Sequence, residues 1–407
     1  MNKKELLPNT TILFIFASIS LAMFNIAYSR DIFYIAGYLS IIYFFTNINN
    51  QTIISNALPL SILLLGLSKI IWSIYYEPSS SNFSNVYNSY FDVGKRLVIA
   101  SFLVSFAINA DSVHKEKITN IIRLVMPFVA LAIAVYSAYQ FHILGLARTE
   151  LSTNRATATA YMLTPVLLLS LFCCIKEKPS LKNIIFLALV FGACLYSILL
   201  TQTRAAILVF TCIALLMLAF KLSNKIRNIV LLSLVIIISA ITIINYDSIV
   251  KPRATQAITE VMNFDQTKDN GSLGNRFTMW IAGTKSAYSH PLGQSAEQRY
   301  KTINEQIENK YISPAISQFI DVHLHNEFID TLSLQGVAGC LALILFYLFL
   351  IKFSLKEKNY LLLSISLTII LYGLSDVLFF SQEVAVTYMS ALALAIMIGN
   401  QHENSSL

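Results

Sequence analysis

The chain has 407 residues, of which 56% are hydrophobic and only 13% charged, and its mean hydropathy is +0.64. A soluble domain of ordinary composition carries about a quarter charged residues, so this composition excludes a water-soluble globular protein and indicates a polytopic membrane protein. The net charge of +7 does not indicate nucleic-acid binding, because the basic residues stand in twos and threes between apolar runs, as in membrane topology signals.

Apolar runs long enough to cross the hydrocarbon as helices recur along the chain and predict about twelve transmembrane helices. They cover residues 11–28, 32–47, 53–76, 91–109, 119–143, 158–175, 183–200, 204–220, 227–246, 327–351, 359–378 and 382–399. The chain then divides into nine membrane helices (1–246), a polar loop (247–326), and three further helices with a tail (327–407). No internal repeat is visible, so an inverted-repeat transporter has no support.

Lysine and arginine in short connections set the orientation of a membrane protein. One set of alternating connections is basic: Lys3, Lys4, Lys115, Lys117, Lys176, Lys178, Lys182, Lys221, Lys225, Arg227, Lys352, Lys356 and Lys358. The other set of short connections holds only Arg30, Arg148, Arg155 and Arg204. We therefore expect both termini in the cytoplasm and the loop 247–326 outside, in the periplasm of a Gram-negative cell.

The polar loop contains two helical patterns. Phe277, Trp280, Ile281, Thr284 and Tyr288 share one helix face before His290-Pro291, and Tyr300, Ile303, Ile307 and Tyr311 share another before Pro314. Amphipathic helices rich in Tyr and Trp lie against the membrane interface or cap a bundle. We expect a helical cap over the outer end.

Arginines on the outer side oppose the positive-inside trend and need a reason. Arg204 follows a very short turn, and Arg276 is expected to open the first loop helix, where backbone N–H groups also favour an anion. Guanidinium groups hold phosphate oxygens by paired hydrogen bonds. Interfacial snorkelling towards lipid headgroups is the alternative. Weaker candidates at the same depth are Lys95, Arg96 and Arg155.

The polar loop ends in Val322-His323-Leu324-His325-Asn326-Glu327. Histidines two apart share a side on an extended segment but not on a helix. Asn326 is expected to cap the next helix, with an acidic first turn of Glu327 and Asp330. A histidine at this position is either a capping group or a general base, since the helix dipole favours neutral imidazole.

A metal site is not expected. The histidine pair is not an H-E-x-x-H motif and lacks an obvious third ligand. The five cysteines all stand in apolar runs, without metal-type spacing. Carboxylates are too few for an acidic dyad or a divalent-metal cluster. Asp376, at the end of the eleventh predicted helix, is placed to pair with one of the arginines.

Together these residues resemble the O-antigen ligases of Gram-negative bacteria, within the wider O-antigen ligase and polymerase group. The resemblance lies in Thr201-Gln202-Thr203-Arg204-Ala205, Gly274-Asn275-Arg276-Phe277 and the histidine motif. It extends to His325-Asn326 followed after nine residues by Gly336-Val337-Ala338-Gly339, and to Gly373-Leu374-Ser375-Asp376. The family's Arg-Ala-x-Gly pattern is only partly met by Arg155-Ala156-Thr157-Ala158.

The resemblance implies a glycosyltransferase-C-like helical fold and a metal-independent, inverting glycosyl transfer without a cofactor. The donor would be O-antigen on undecaprenyl diphosphate, and the acceptor a sugar hydroxyl of lipid A–core, in the inner membrane. His325 would be the general base, and Arg204 and Arg276 would bind the donor diphosphate. Further possible site residues are Arg155, Arg96, Lys95, His323, Asn326 and Asp376.

Two other functions stay open from the sequence. An O-antigen polymerase would use a similar donor but a lipid-linked acceptor. A non-enzymatic carrier of lipid-linked sugars would need charged residues deep within several helices, and this chain offers mainly Lys69 and Arg123.

Overall fold

A computed structural model describes residues 3–47, 57–110, 112–176, 179–222, 224–269 and 271–399. Every regular element among these residues is helical. Residues 53–56 of the third predicted span, Lys178 and the tail after Gly399 lie outside the described residues.

Fifteen α-helices occur in the described part of the chain. They are α1 (Lys3–Leu21), α2 (Ile26–Thr46), α3 (Ala57–Tyr76), α4 (Ser84–Asn109), α5 (Ser112–Ala138), α6 (Ala156–Cys174), α7 (Leu181–Leu200), α8 (Arg204–Lys221), α9 (Asn224–Ile244), α10 (Lys251–Met262), α11 (Gly271–Ser289), α12 (Ala296–Glu308), α13 (Glu327–Lys356), α14 (Tyr360–Gly373) and α15 (Gln382–Gly399).

The predicted fold class, an all-α polytopic membrane protein, is confirmed. Each of the twelve expected spans has a helix at its position, and eight of those described are long and apolar enough to cross a membrane: α3, α5, α6, α7, α8, α9, α13 and α15. The apolar parts of α1 and α14 are shorter. Charged residues lower the hydropathy of α2 and α4, which carry Arg30-Asp31 and Asp92 with Lys95-Arg96.

The first connection lies earlier than the apolar pattern predicts. The first helix ends at Leu21 rather than near residue 28, because the side chain of Asn25 accepts the backbone N–H of Tyr28 and caps α2. Arg30 consequently stands on α2, where it pairs with Asp31, and not in a connection between helices.

Two helices occupy the centre of the bundle. The apolar windows of α6 and α15 are 89% and 83% buried, against 11% for α9. Around this centre α4 packs on α3 and α15, and α14 packs on α8 and α13. Helix α9 lies at the edge, against α7 and α8, so its outer face is left for lipid.

The loop forms the expected helical cap at one end of the bundle, which we call the capped end. Helix α11 ends at Ser289, just before His290-Pro291, as predicted. Helix α12 ends at Glu308, so Tyr311 lies outside it. Helix α10 was not predicted, although Ala257, Ile258 and Val261 lie on one face of it. The cap has a small core of its own, which includes Met279, Ile303, Ile316 and Leu324.

Helix α13 is not the continuous span that the sequence predicts. Gly336 has φ +66° and ψ −162°, which breaks the helix. A Cβ at Gly336 would lie 2.5 Å from the backbone of Pro291 and Leu292, and the N–H of Val337 donates to the carbonyl of Pro291 at 2.9 Å. The break therefore lets the chain after α11 cross α13 in backbone contact.

Candidate active site

A short segment between two helices gathers the polar groups of the capped end. This segment, residues 374–381, is called here the α14–α15 connection. Asn326 Nδ2 donates to the carbonyl of Leu374 at 3.0 Å, while its Oδ1 accepts the N–H groups of Phe328 and Ile329. The predicted cap is confirmed, and Asn326 also joins the start of α13 to the connection.

His325 and Asp376 form a hydrogen-bonded pair. Nδ1 of His325 lies 3.0 Å from Oδ1 of Asp376. The His325 side chain is 22% exposed and that of Asp376 11%, so the imidazole is held by the protein and still open on one side. The sequence predicts that Asp376 pairs with an arginine, whereas in the structure it is hydrogen-bonded to His325.

Asp376 determines which nitrogen of His325 carries the proton. Burial acts to raise the pKa of the Asp376 carboxyl, but the hydrogen bond from His325 and the positive charges of the histidines and Arg276 hold the pKa below its ordinary value. Tyr161 Oη and the N–H of Val377 also donate to this carboxylate. An ionised carboxylate only accepts, so Nδ1 of His325 donates, and in a neutral imidazole the lone pair is then on Nε2.

The backbone of His325 is in an unusual conformation. Its φ is +50°, a left-handed value that is uncommon for residues other than glycine. Nε1 of Trp280 on α11 donates to the His325 carbonyl at 3.1 Å. The cap helix therefore fixes the turn that presents the imidazole, and backbone strain of this kind clusters at functional sites.

His323 shares the same carboxylate. Its Nδ1 lies 3.9 Å from Oδ1 of Asp376, and its ring packs on those of His325 and Phe380. Burial lowers the pKa of His323 to about 4, although Asp376 acts to raise it. The two histidines lie on one side of a non-helical segment, as expected for an extended pair, and His323 is neutral at pH 7.

A third possible metal ligand, Asp376, lies beside the two histidines, contrary to the prediction from the sequence. His323, His325 and Asp376 each offer one ligand atom, and these atoms lie within 4.8 Å of one another. Two imidazoles and a carboxylate are a ligand set that zinc accepts. The sequence gives no sign of this, because 51 residues separate His325 from Asp376.

Arg276 reaches the same connection from α11. Its Nη1 donates to the carbonyl of Ser375 at 2.9 Å, next to Asp376. Helix α11 begins at Gly271, so Arg276 lies in its second turn. The prediction that Arg276 opens this helix is therefore wrong. The N–H of Leu273 in the first turn donates to Glu260, so a carboxylate occupies the place proposed for a phosphate.

Arg204 lies at the start of α8 and pairs with Glu260 at 3.5 Å. Glu260 is 8% exposed and accepts the Leu273 N–H at 2.7 Å. Since Leu273 and Arg276 are three apart on α11, they lie on adjacent turns of one face. Arg204 is thus joined to the neighbourhood of Arg276 through Glu260, which the sequence analysis missed.

The three weaker cationic candidates lie at the other end of the connection, where α15 begins. Arg96 is buried and donates to Oε1 of Gln382 at 2.7 Å. Arg155 lies 3.7 Å from Glu383, and Lys95 pairs with Asp92 at 2.7 Å. They form a second group of charged residues, distinct from Arg204 and Arg276.

The predicted acidic first turn of α13, with Glu327 and Asp330, is confirmed, and both carboxylates are buried. Glu327 and Lys69 are fully buried and lie 3.5 Å apart. Glu327 Oε2 accepts the N–H of Phe379 at 3.0 Å, so this ion pair also holds the α14–α15 connection. Lys69 therefore has a buried partner on α13.

Asp330 lies in a second buried ion pair, with Arg299 of α12 at 2.7 Å. The Leu324 N–H donates to Asp330 at 2.9 Å, Arg299 donates to the Val322 carbonyl at 3.3 Å, and Tyr90 donates to Asp330. The pair thus forms hydrogen bonds to the backbone on both sides of His323.

These observations define a multi-pass membrane protein with a histidine–aspartate pair, flanked by arginines, at the capped end of a helical bundle. A family model described as O-antigen ligase matches residues 187–344. The chain is also 29% identical over 357 residues to the O-antigen ligase of Escherichia coli K12, an alignment that covers 87% of this chain and 84% of that protein.

Both matches are to O-antigen ligases, so the chain is similar to this family of glycosyltransferase-type enzymes. The match of the family model ends after the histidine motif and before the α14–α15 connection. The similarity to the E. coli protein extends over most of the chain, in agreement with a single shared fold.

Proposed function

We propose that the protein transfers O-antigen polysaccharide from undecaprenyl diphosphate to a sugar hydroxyl of lipid A–core, by metal-independent inverting glycosyl transfer. The observation that carries the proposal is the hydrogen bond between His325 and Asp376, with Arg276 on the adjoining residue. This pair supplies a base beside a cation, which transfer from a diphosphate requires.

The proposed reaction is a single displacement at the anomeric carbon. Nε2 of His325 takes the proton of the acceptor hydroxyl as its oxygen forms the new bond to that carbon. The bond between the anomeric carbon and the diphosphate oxygen breaks, and undecaprenyl diphosphate leaves with the electron pair. The His325 proton then passes to solvent. Asp376 holds the imidazole in the required tautomer and stabilises the imidazolium.

Arg276 and Arg204 would meet the charge that develops on the departing diphosphate. Fixed cations aimed at such a charge lower the barrier because they need no reorganisation during the reaction. Both arginines hold protein acceptors, Ser375 and Glu260. We infer that donor phosphates displace or share these contacts.

We further propose that the capped end, with residues 247–326, faces the periplasm and that both termini are cytoplasmic. The support is the alternation of basic connections along the chain. The contacts of His325, Arg276 and Arg204 all lie at the capped end, so this orientation puts the site on the side where O-antigen is joined to the core.

The test replaces His325 by Ala in a strain that lacks the chromosomal gene and examines lipopolysaccharide on a gel. We expect bare core with H325A and long-chain ladders with the wild type and with His142→Ala, since His142 contacts Tyr196 and not the site. Ladders in a well-expressed H325A variant would contradict the proposal. Core carrying one repeat unit in the deletion strain would indicate a polymerase.

A second experiment separates an enzyme from a carrier. Purified full-length protein is mixed in detergent with lipid-linked donor and lipid A–core, and transfer is followed in a single turnover. Product formed by the wild type and not by H325A supports catalysis at His325. Equal product from both proteins would remove His325 from the mechanism.

A further inference from the structure

An apolar groove of about 580 Å³ lies between α13 and α14. Its lining at one end includes Phe328, Ile344 and Ile370, and at the other end Lys352 and Leu355. Lys352 is the one charged side chain in this lining. From Ile344 to Leu355 the groove follows α13 for about 16 Å at ~1.5 Å per residue. It has the shape and chemistry for a hydrocarbon chain.

The end of the groove lined by Phe328 and Ile370 is built from residues next to the candidate site. The Phe328 N–H donates to Asn326, whose amide in turn donates to the Leu374 carbonyl. The Leu374 N–H donates to the carbonyl of Ile370 at 3.1 Å. Ile370 directly, and Phe328 through Asn326, are therefore linked by hydrogen bonds to Leu374, the first residue of the α14–α15 connection. Arg276 is hydrogen-bonded to the same connection.

The break at Gly336 shapes this end of the groove. It turns the first part of α13 back, so that the ring of Phe328 contacts that of Tyr347, with centroids 5.4 Å apart. A continuous helix would place residues 328 and 347 about 28 Å apart at ~1.5 Å per residue. The fold thus places the N-terminal end of α13 beside this end of the groove.

We propose that this groove binds the isoprenoid chain of the lipid diphosphate donor, with the diphosphate held at the Arg276 end. The inference rests on the proposed function and adds the path of the donor lipid. A chain in the groove leads directly from the membrane to the connection that carries Asp376. Binding energy from this remote part of the donor would position its reacting carbon.

Adjacent residues on α13 supply a matched test. Ile344 lines the groove and Leu345 does not, and both are 37% exposed. In full-length protein we expect Ile344→Trp to raise the KM for a long-chain donor about tenfold, because the indole fills the groove, with a much smaller effect on a donor with a short isoprenoid. Leu345→Trp should leave both values near wild type. An equal loss in both variants, or an equal loss with both donors, would overturn the proposal.

Photo-crosslinking gives a readout that needs no transfer activity. A farnesyl diphosphate bearing a benzophenone is irradiated with wild-type protein in nanodiscs, and the labelled peptide is identified. We expect label within residues 344–355, competed by geranylgeranyl diphosphate and not by phosphatidylglycerol. Label elsewhere, or equal competition by the phospholipid, would show that the groove holds ordinary membrane lipid. Wild-type protein that takes label here but transfers no sugar would instead contradict the proposed function.

Discussion

Arg299 and Asp330 form a fully buried ion pair, 2.7 Å apart, behind the backbone that carries both histidines of the site. Arg299 belongs to the cap and Asp330 to the first turns of α13. This pair is one of the contacts that join the cap to the bundle, and it holds the backbone of residues 322–324.

We expect Asp330→Asn to destabilise the protein by about 3 kcal/mol, because removal of one partner leaves a buried charge uncompensated. The apparent melting temperature in detergent measures this. Asp265→Asn is the matched control, since Asp265 pairs with Lys268 at 3.1 Å on the surface, where ion pairs contribute little to stability. Equal shifts for D330N and D265N would contradict the structural role of the buried pair.

Asp376→Asn should lower kcat by about a hundredfold or more with little change in the KM of the acceptor. The amide can donate to Nδ1 of His325 and so favour the tautomer that protonates Nε2, where the proton must be accepted. Single-turnover transfer measures the rate. Tyr161→Phe, which removes one hydrogen bond to Asp376 and keeps the carboxylate, should retain most activity. A near-normal rate in D376N would remove Asp376 from the mechanism.

Acidification should destabilise the protein below about pH 6.5. The unfolded chain protonates His323 near its ordinary pKa of 6.5, whereas burial lowers the folded pKa to about 4, so protons favour the unfolded state within this window. The pKa of Asp376 lies below its ordinary value, so its stabilising contribution is present at neutral pH and is lost only in stronger acid. Melting temperatures across pH 4–8 test this.

The variant His323→Asn removes the group that is expected to cause the loss of stability in the upper part of this pH range. We expect its melting temperature to stay flat down to about pH 5 and then to fall as the carboxylates protonate. Identical pH profiles for wild type and H323N would show that another group is responsible.

Gly336→Ala should prevent accumulation of folded protein or lower its melting temperature strongly. The added Cβ would meet the backbone of Pro291 and Leu292 at 2.5 Å, at a φ of +66°. Gly192→Ala is the control, because a Cβ there meets only Ile237 at 3.5 Å and alanine favours a helix over glycine by up to ~1 kcal/mol. If G336A folds as well as G192A, the contact between α13 and residues 291–293 is less close than described.

Chelators should leave the transfer rate unchanged, and added zinc should inhibit it. In the proposed mechanism His325 needs its hydrogen bond to Asp376, while the same groups with His323 are spaced to bind a metal. Transfer is measured with tag-free protein after EDTA treatment and after addition of Zn²⁺. Loss of activity with EDTA that zinc restores would replace the metal-independent mechanism by a metal-assisted one.

The membrane helices and the cap could be predicted because their signals are local. Length and apolarity identify a span, and the pattern of Phe277, Trp280 and Ile281 identifies α11. Breaks that depend on distant partners could not be predicted. Gly336 interrupts α13 because residues 291–293 pass beside it, and nothing in the apolar run 327–351 shows this.

The candidate site was predicted in its members but not in its contacts. His325, Asn326 and Arg276 stand in recognisable motifs, and the structure brings all three to the α14–α15 connection. Their partners come from remote parts of the chain: Glu260 for Arg204, and Arg299 for Asp330. Such pairings follow from packing, and a single sequence carries no signal for them.

The shortness of α14 has a consequence for how a lipid could reach the site. Its 14 residues rise about 21 Å, less than the ~30 Å thickness of bilayer hydrocarbon. In the orientation proposed above, with the start of α14 at the cytoplasmic edge of the hydrocarbon, the segment with Asp376 would start below the level of the outer headgroups. A polyprenyl carrier could present its sugar there by moving sideways in the leaflet, without being lifted into the aqueous phase.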